Sequence, residues 1–250
     1  MNEILKNNNI LLFLGVIFPP IFYAFIVWAN TPRGSVKWKV AFLYFLMGIL
    51  STTFVLNLHW IFPKWDNDLS SNTDFSLFIL CFLQVAIIEE SMKFTAFKIA
   101  NSYRNRRWIE HPAATMFYMM SVGLGFAFAE NLIYVGSIGP EILAIRTFTA
   151  LVMHMIVGLF MGYFLVRARF VDKSNETELS SRISPKIKVI FWNALAILVA
   201  ASYHGLYDFA WSEMSNLNFN RNLELVIGIG LVLFGLFMAL KLSKKIFRMS

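Results

Sequence analysis

The chain has 250 residues, of which 58% are hydrophobic and 15% charged, and its mean hydropathy is +0.61. That balance excludes an ordinary soluble domain. The formal net charge of +7 falls in short loops between apolar runs, which argues against nucleic acid and for the cytoplasmic charge bias of a membrane protein.

A helix needs roughly 20 apolar residues to cross the hydrocarbon core. Runs near that length cover 10–28, 40–58, 75–100, 113–135, 142–166, 189–211 and 223–240, so about seven spans are predicted. Glu3 and Lys6 precede the first run, Pro19 and Pro20 interrupt it, and no small-residue cleavage site follows, so it reads as a span rather than a signal peptide. The one cysteine, Cys81, lies inside the third run. It reads as a packing residue, since a single cysteine makes neither an intrachain disulfide nor a cysteine metal cluster.

The loops alternate in charge. Arg33, Lys37 and Lys39 follow the first run; Lys98, Arg104, Arg106 and Arg107 lie around the end of the third; Arg167, Arg169, Lys173, Arg182, Lys186 and Lys188 follow the fifth; Lys241, Lys244, Lys245 and Arg248 follow the last. The other side holds little more than Lys6, Lys64 and Arg221, with Asp66, Asp68 and Asp74 nearby. The positive-inside rule then places the N-terminus outside and the C-terminus in the cytoplasm. Trp28, Trp38, Trp60, Trp108, Trp192 and Trp211 fall near predicted span ends, where amphipathic rings settle. The longest loop, 167–188, is polar and reads as a cytoplasmic connector. There is no internal repeat and no separate soluble domain. The expected fold is all-α, one polytopic integral membrane domain over 1–250, with an active-site bundle formed by the spans within 75–211.

Ionisable residues inside these spans are expensive, roughly 2.5–3.5 kcal/mol each for Asp, Lys or Arg at a span centre, and ask for a reason. The third span contains Glu89-Glu90-Ser91-Met92-Lys93, which places Lys93 three and four residues after the two carboxylates and on a shared helical face. One carboxylate can pair with the lysine and leave the other to act on water or a metal; the plainer reading is a buried ion pair that fixes packing. The fourth span carries Glu130-Asn131 with Tyr134 one turn on, preceded by Gly123 and Gly125, which permit close helix approach. Alone, Glu130 reads as a hydrogen-bonded packing residue. The fifth carries His154, then Gly158 and Gly162 at four-residue spacing, and a lone histidine there is usually a packing residue as well. The sixth carries His204-Gly-Leu-Tyr-Asp208, an i, i+4 pair in which the carboxylate can accept a ring N–H and fix the tautomer. If the four spans form one bundle, these groups converge on one polar cavity suited to general acid–base chemistry.

Glu89-Glu90-x-x-Lys93, Phe126-x-x-x-Glu130 and His204-x-x-x-Asp208, in this order on successive spans, resemble the three signature motifs of the PrsW family of intramembrane proteases. The segments Gly125 to Tyr134 and His154-x-x-x-Gly158-x-x-x-Gly162-Tyr163 are similar to the family's wording at and after its second motif. The resemblance spans roughly 75–211. It implies a multi-pass protein of the bacterial cytoplasmic membrane, related to the CAAX-processing type II proteases and the γ-secretase scaffold subunit. It implies hydrolysis of a peptide bond in a membrane-anchored substrate, in the best-known members the first cut of an anti-sigma factor. Its partners are then a membrane protein and the lipid bilayer, and not nucleic acid.

Two mechanisms use the same residues. Glu90 or Glu89 acts as general base on water, while His154, His204 and Glu130 either bind a divalent ion such as Zn2+ or stabilise the oxyanion without metal. No HExxH motif is present, so a zincin site is excluded. Two rival readings stand beside the protease: a scaffold that holds partner helices through the Gly-rich faces of spans four and five, and a transporter or proton relay. Against transport, the sequence shows no repeat and no pair of broken helices.

Overall fold

The computed structural model describes residues 2–61, 74–102, 111–170, 184–216 and 221–247, and side chains within 15–58, 76–102, 111–170, 184–211 and 226–247. The loop residues Lys64, Asp66, Asp68, Arg104, Arg106, Arg107, Trp108, Lys173, Arg182 and Arg248, much of the 167–188 connector, and the side chains of Lys6, Trp60 and Arg221 lie outside the described residues. Every described element is helical. In chain order they are α1 (Asn2–Ala29), α2 (Trp38–Ile61), α3 (Asp74–Ile79), a π-helical segment (Leu80–Ala86), α4 (Ile87–Ser102), α5 (Pro112–Ser137), α6 (Ile142–Phe148), α7 (Ala150–Arg169), α8 (Pro185–Asn216) and α9 (Arg221–Phe247).

Among the described residues, five stretches are long and apolar enough to cross a membrane: Trp38–Leu58, Pro112–Ser137, Ile142–Arg169, Pro185–Trp211 and Val226–Phe247. In the first helix Gly15–Ala29 is apolar, and α1 runs through Pro19 and Pro20 without a break. Of the seven spans expected, the first and the third are not among these five; the third runs from α3 through the π segment to α4. It carries Glu89, Glu90 and Lys93 at its centre. The chain is an all-helical, multi-pass membrane protein.

The bundle is built inside out. In Pro112–Ser137 and Ile142–Arg169 the buried share of the most apolar window is 83% and 89%, against 39%, 33% and 28% in the spans of α2, α8 and α9. The outer helices instead turn large apolar residues outward, such as Phe18, Phe42, Phe54, Ile190 and Phe237, as a lipid-facing surface requires. α5 packs most extensively on α7 and α2, and α7 in turn on α8.

Glycines set the closeness of the central contacts. A Cβ on Gly158 would stand 2.7 Å from Met120 Cα, and one on Gly162 would stand 2.7 Å from Met116 Cα. On the opposite face of α5, Gly125 meets the backbone of Phe45, and Gly48 of α2 meets that of Val122. With little hydrophobic drive between helices in lipid, close backbone approach of this kind supplies the packing energy. The start of α5 is fixed by Pro112 and by His111, whose Nδ1 accepts the Ala113 N–H at 3.0 Å.

Two crossings are interrupted, which the sequence did not lead us to expect. The third is π-helical over Leu80–Ala86. The fifth breaks at Thr149, whose φ of −117° and ψ of −77° separate α6 from α7. Neither interruption contains a proline or glycine. The π segment lies just before Glu89 and Glu90, and Thr149 lies between Arg146 and His154, and placement beside functional groups is common for such defects.

Gly158→Val tests the role of these close approaches. Because the contact is backbone to backbone, the substitution is expected to destabilise the bundle by about 1–3 kcal/mol. At Gly230 an added Cβ would meet nothing within 4 Å, so Gly230→Ala should fold without loss. Thermal unfolding of both variants in one detergent checks the contrast.

Candidate active site

Neighbouring crossings run antiparallel, and each Cα–Cβ bond leans toward its own helix N-terminus. Side chains on α5 and α8 therefore lean one way along the bundle and those on α4 and α7 the other. Residues at different heights can meet in this way. Glu89, Glu90 and Lys93 of α4, Glu130 of α5, His154 of α7 and His204 with Asp208 of α8 do meet. Glu90, Lys93, His154 and His204 are each no more than 2% exposed and Glu89 is 7% exposed.

Lys93 is at the centre. Its Nζ lies 2.7 Å from Glu90 Oε1, 3.3 Å from Glu89 Oε2 and 3.0 Å from His154 Nδ1. An ammonium has three donors and no acceptor, so all three are engaged and the lone pair of His154 faces the lysine. The other ring nitrogen then carries the proton, and Nε2 donates to Glu130 Oε2 at 2.9 Å. The Phe126 ring lies under the ammonium, 3.8 Å from Nζ to centroid, a cation–π contact that helps hold a charge away from water.

His204 stands between acids. Its Nδ1 is 2.7 Å from Glu90 Oε1, and its Nε2 is 3.2 Å from Asp208 Oδ2 and 3.9 Å from Glu89 Oε2. The two imidazoles meet edge to face with centroids 5.1 Å apart. The i, i+4 spacing of His204 and Asp208 thus places the carboxylate at the ring nitrogen, and the spacing of Lys93 places it on both glutamates rather than one.

A cavity of about 680 Å³ opens onto this cluster. Its polar wall includes Glu89, Glu130, Arg146, His154, His204 and Asp208, and its apolar wall includes Val55, Leu80, Val85 and Met153. Glu89 faces the cavity. Glu90 lies behind it with no exposure and is held by Lys93 and His204. Cys81 is buried and also lines the cavity.

Arg146 of α6 was not singled out by the sequence, nor was any role for Asn131. Arg146 Nη2 lies 2.8 Å from Glu130 Oε2, its Nε donates to Asn131 Oδ1 at 2.7 Å, and its Cζ lies 3.7 Å over the Tyr134 ring. The insertion cost that flagged the other charges applies equally to an arginine in the run 142–166, so the signal was present.

One ligand atom from each of Glu89, Glu90, His154 and His204 lies within 4.8 Å of the others. Two carboxylates with two imidazoles suit a borderline divalent ion such as zinc. Glu90 Oε2 meets no donor among the described residues although it is buried. The residues therefore fit such an ion, with Lys93 competing for the same lone pairs. Glu130 is not in this set; it stands behind His154, between the imidazole and Arg146.

Comparison with known proteins agrees with the motifs. The family model described as PrsW family intramembrane metalloprotease matches residues 36–240. The chain is similar to the Protease PrsW of Bacillus subtilis (strain 168), 28% identical over 173 residues that cover 69% of each chain. It is also similar to the Protease PrsW of Oceanobacillus iheyensis, 28% identical over 56% of this chain and 58% of that one. The match to the Shouchella clausii Protease PrsW is 27% over 54% of this chain and 55% of that one. The matched stretch thus spans little more than half of the latter two relatives. No solved structure matches the chain.

Lys93→Met should destabilise the fold by roughly 3–5 kcal/mol, because it leaves two buried carboxylates facing each other. Adding Glu90→Gln should regain part of that loss. Unfolding of both variants in detergent checks it; equal stability of Lys93→Met and wild type would contradict the central role of the ammonium.

Proposed function

This chain belongs to the PrsW family of intramembrane metalloproteases and is a peptidase, and we propose that Glu89 is the general base that activates water in its cavity. The observation that carries the proposal is the convergence of Glu89, Glu130, His154, His204 and Asp208 on one cavity of about 680 Å³. A water there can be deprotonated by Glu89 as its oxygen bonds to the scissile carbonyl carbon. His204 Nε2, 3.2 Å from Asp208 and 3.9 Å from Glu89, would turn its N–H from Asp208 to the oxyanion as that charge forms. As the C–N bond breaks, the proton held on Glu89 passes to the leaving amine. Glu90 keeps Lys93 and His204 in place, and Lys93 offsets the charge of the two glutamates.

Where a divalent ion is bound, Glu90, His154 and His204 would hold it, and it would supply Lewis-acid polarisation of the carbonyl. The acid–base roles above belong to this chain's own groups in either case. The membrane domain acts as a single unit, with the hydrolytic bundle inside 75–211. Its substrate in this reading is a single-pass, membrane-anchored protein, and the family resemblance favours the first cut of an anti-sigma factor. The scaffold alternative loses its proposed surface, because Gly158 and Gly162 are already packed on α5 and Gly123 on the backbone of His154.

Glu89→Gln should lower cleavage of a tagged single-pass substrate by about 10²–10⁴-fold, while Glu90→Gln loses activity together with stability. Cleavage by purified Glu89→Gln at the wild-type rate would refute the assignment. Dialysis against a chelator, with metal content measured beside activity, tests the ion: loss of both, restored by zinc, supports metal assistance. Full activity in metal-free protein supports the glutamates acting alone.

A further inference from the structure

The hydrolytic groups described so far come from α4, α5, α7 and α8. The outer limb of the fifth crossing, α6, sends one charged side chain to them. On an unbroken helix Arg146 and His154 would stand about 12 Å apart along the axis and roughly 80° apart around it. The break at Thr149 sets α6 off from α7, with Thr149 Oγ1 donating to Ile145 O at 2.9 Å. Arg146 and His154 then meet at a single atom. Arg146 Nη2 lies 2.8 Å and His154 Nε2 2.9 Å from the same oxygen, Glu130 Oε2.

The guanidinium pairs with Glu130 through a 2.8 Å charge contact that is not an aligned hydrogen bond, donates to Asn131 and lies over the face of Tyr134, and its side chain is 13% exposed. α6 is braced in turn by α1, where Tyr23 donates to the Thr147 carbonyl at 3.3 Å. An acid held between a guanidinium and an imidazole stays in one place. The imidazole facing it keeps its proton on Nε2 and its lone pair toward Lys93.

We propose that Arg146 is a positioning residue for hydrolysis: it fixes Glu130, and through Glu130 the tautomer and orientation of His154. The proposal rests on the hydrolytic reading above and adds to it a residue outside the three motifs. Arg146 lines the cavity, and in this proposal it acts through the carboxylate.

The test separates kcat from KM. Wild type, Glu89→Gln, Arg146→Lys, Arg146→Met, Glu130→Gln and the Glu130→Gln/Arg146→Met double variant are purified as full chains in detergent and assayed on a tagged single-pass substrate. Arg146→Met should lower kcat by about 10–100-fold, the usual effect of losing a group that orients a catalytic histidine, with KM little changed. Arg146→Lys should recover part of the loss. The double variant should be no slower than Glu130→Gln alone, because the guanidinium acts only through that carboxylate. The double variant also carries no unpaired buried charge, so it reports on the mechanism where Arg146→Met fails to fold. Additive losses in the double variant overturn the proposal. So does a raised KM at unchanged kcat, which would make Arg146 a substrate contact. Wild-type kinetics in Arg146→Met, beside a silent Glu89→Gln, overturn the proposal alone. Unimpaired cleavage by Glu89→Gln overturns the hydrolytic reading and this inference with it.

Discussion

One ammonium group organises the interior of this protein. Lys93 lies in a helix bundle where water is scarce, and a bare charge there would be prohibitive. It is tolerated because its three donors meet Glu89, Glu90 and His154 and because the Phe126 ring lies beneath it. Those partners come from α4 and α7, and Phe126 from α5. The three helices must therefore hold one register for the charge to be satisfied, and that register also brings the histidines to the carboxylates. Stability of the fold and geometry of the site are one requirement here.

The glycines make the register possible. Gly158 and Gly162 let α7 lie against α5 at backbone contact, and Gly48 with Gly125 does the same for α2 and α5. Helices this close have short side-chain reach between them, so a glutamate on one and a histidine on the next can hydrogen-bond without a spacer. The outer helices need no such closeness. They present Phe42, Phe54 and Phe237 to the surroundings, and their contribution is to keep water and lipid from the centre.

Much of this was legible in the sequence, for physical reasons that differ by residue. The apolar runs and the charges stranded inside them stand out because lipid forbids one and demands the other. The i, i+4 spacing of His204 and Asp208 is enough to place them face to face. The division of labour between Glu89 and Glu90 was not legible, since i+3 and i+4 both reach Lys93 and only the packing of α8 decides which one sees the cavity. The break at Thr149 and the π segment at Leu80–Ala86 carry no proline or glycine and leave no mark on periodicity. Arg146 stands near the start of the run 142–166, where an arginine at the membrane interface is ordinary. Its role depends on a bend that spacing does not reveal.

The same interior fixes what the site still requires. Four carboxylates, Glu89, Glu90, Glu130 and Asp208, face two fixed cations, Lys93 and Arg146. The low dielectric of the bundle does not leave two uncompensated negative charges standing. Either His204 and one carboxylate hold extra protons, or a divalent ion supplies the same two charges at Glu90, His154 and His204. Both arrangements leave Glu89 at the cavity wall. Electrostatic neutrality of a buried cluster thus permits the metal-assisted and the glutamate route on one scaffold. What separates them is whether Lys93 or an ion occupies the lone pairs that both would use.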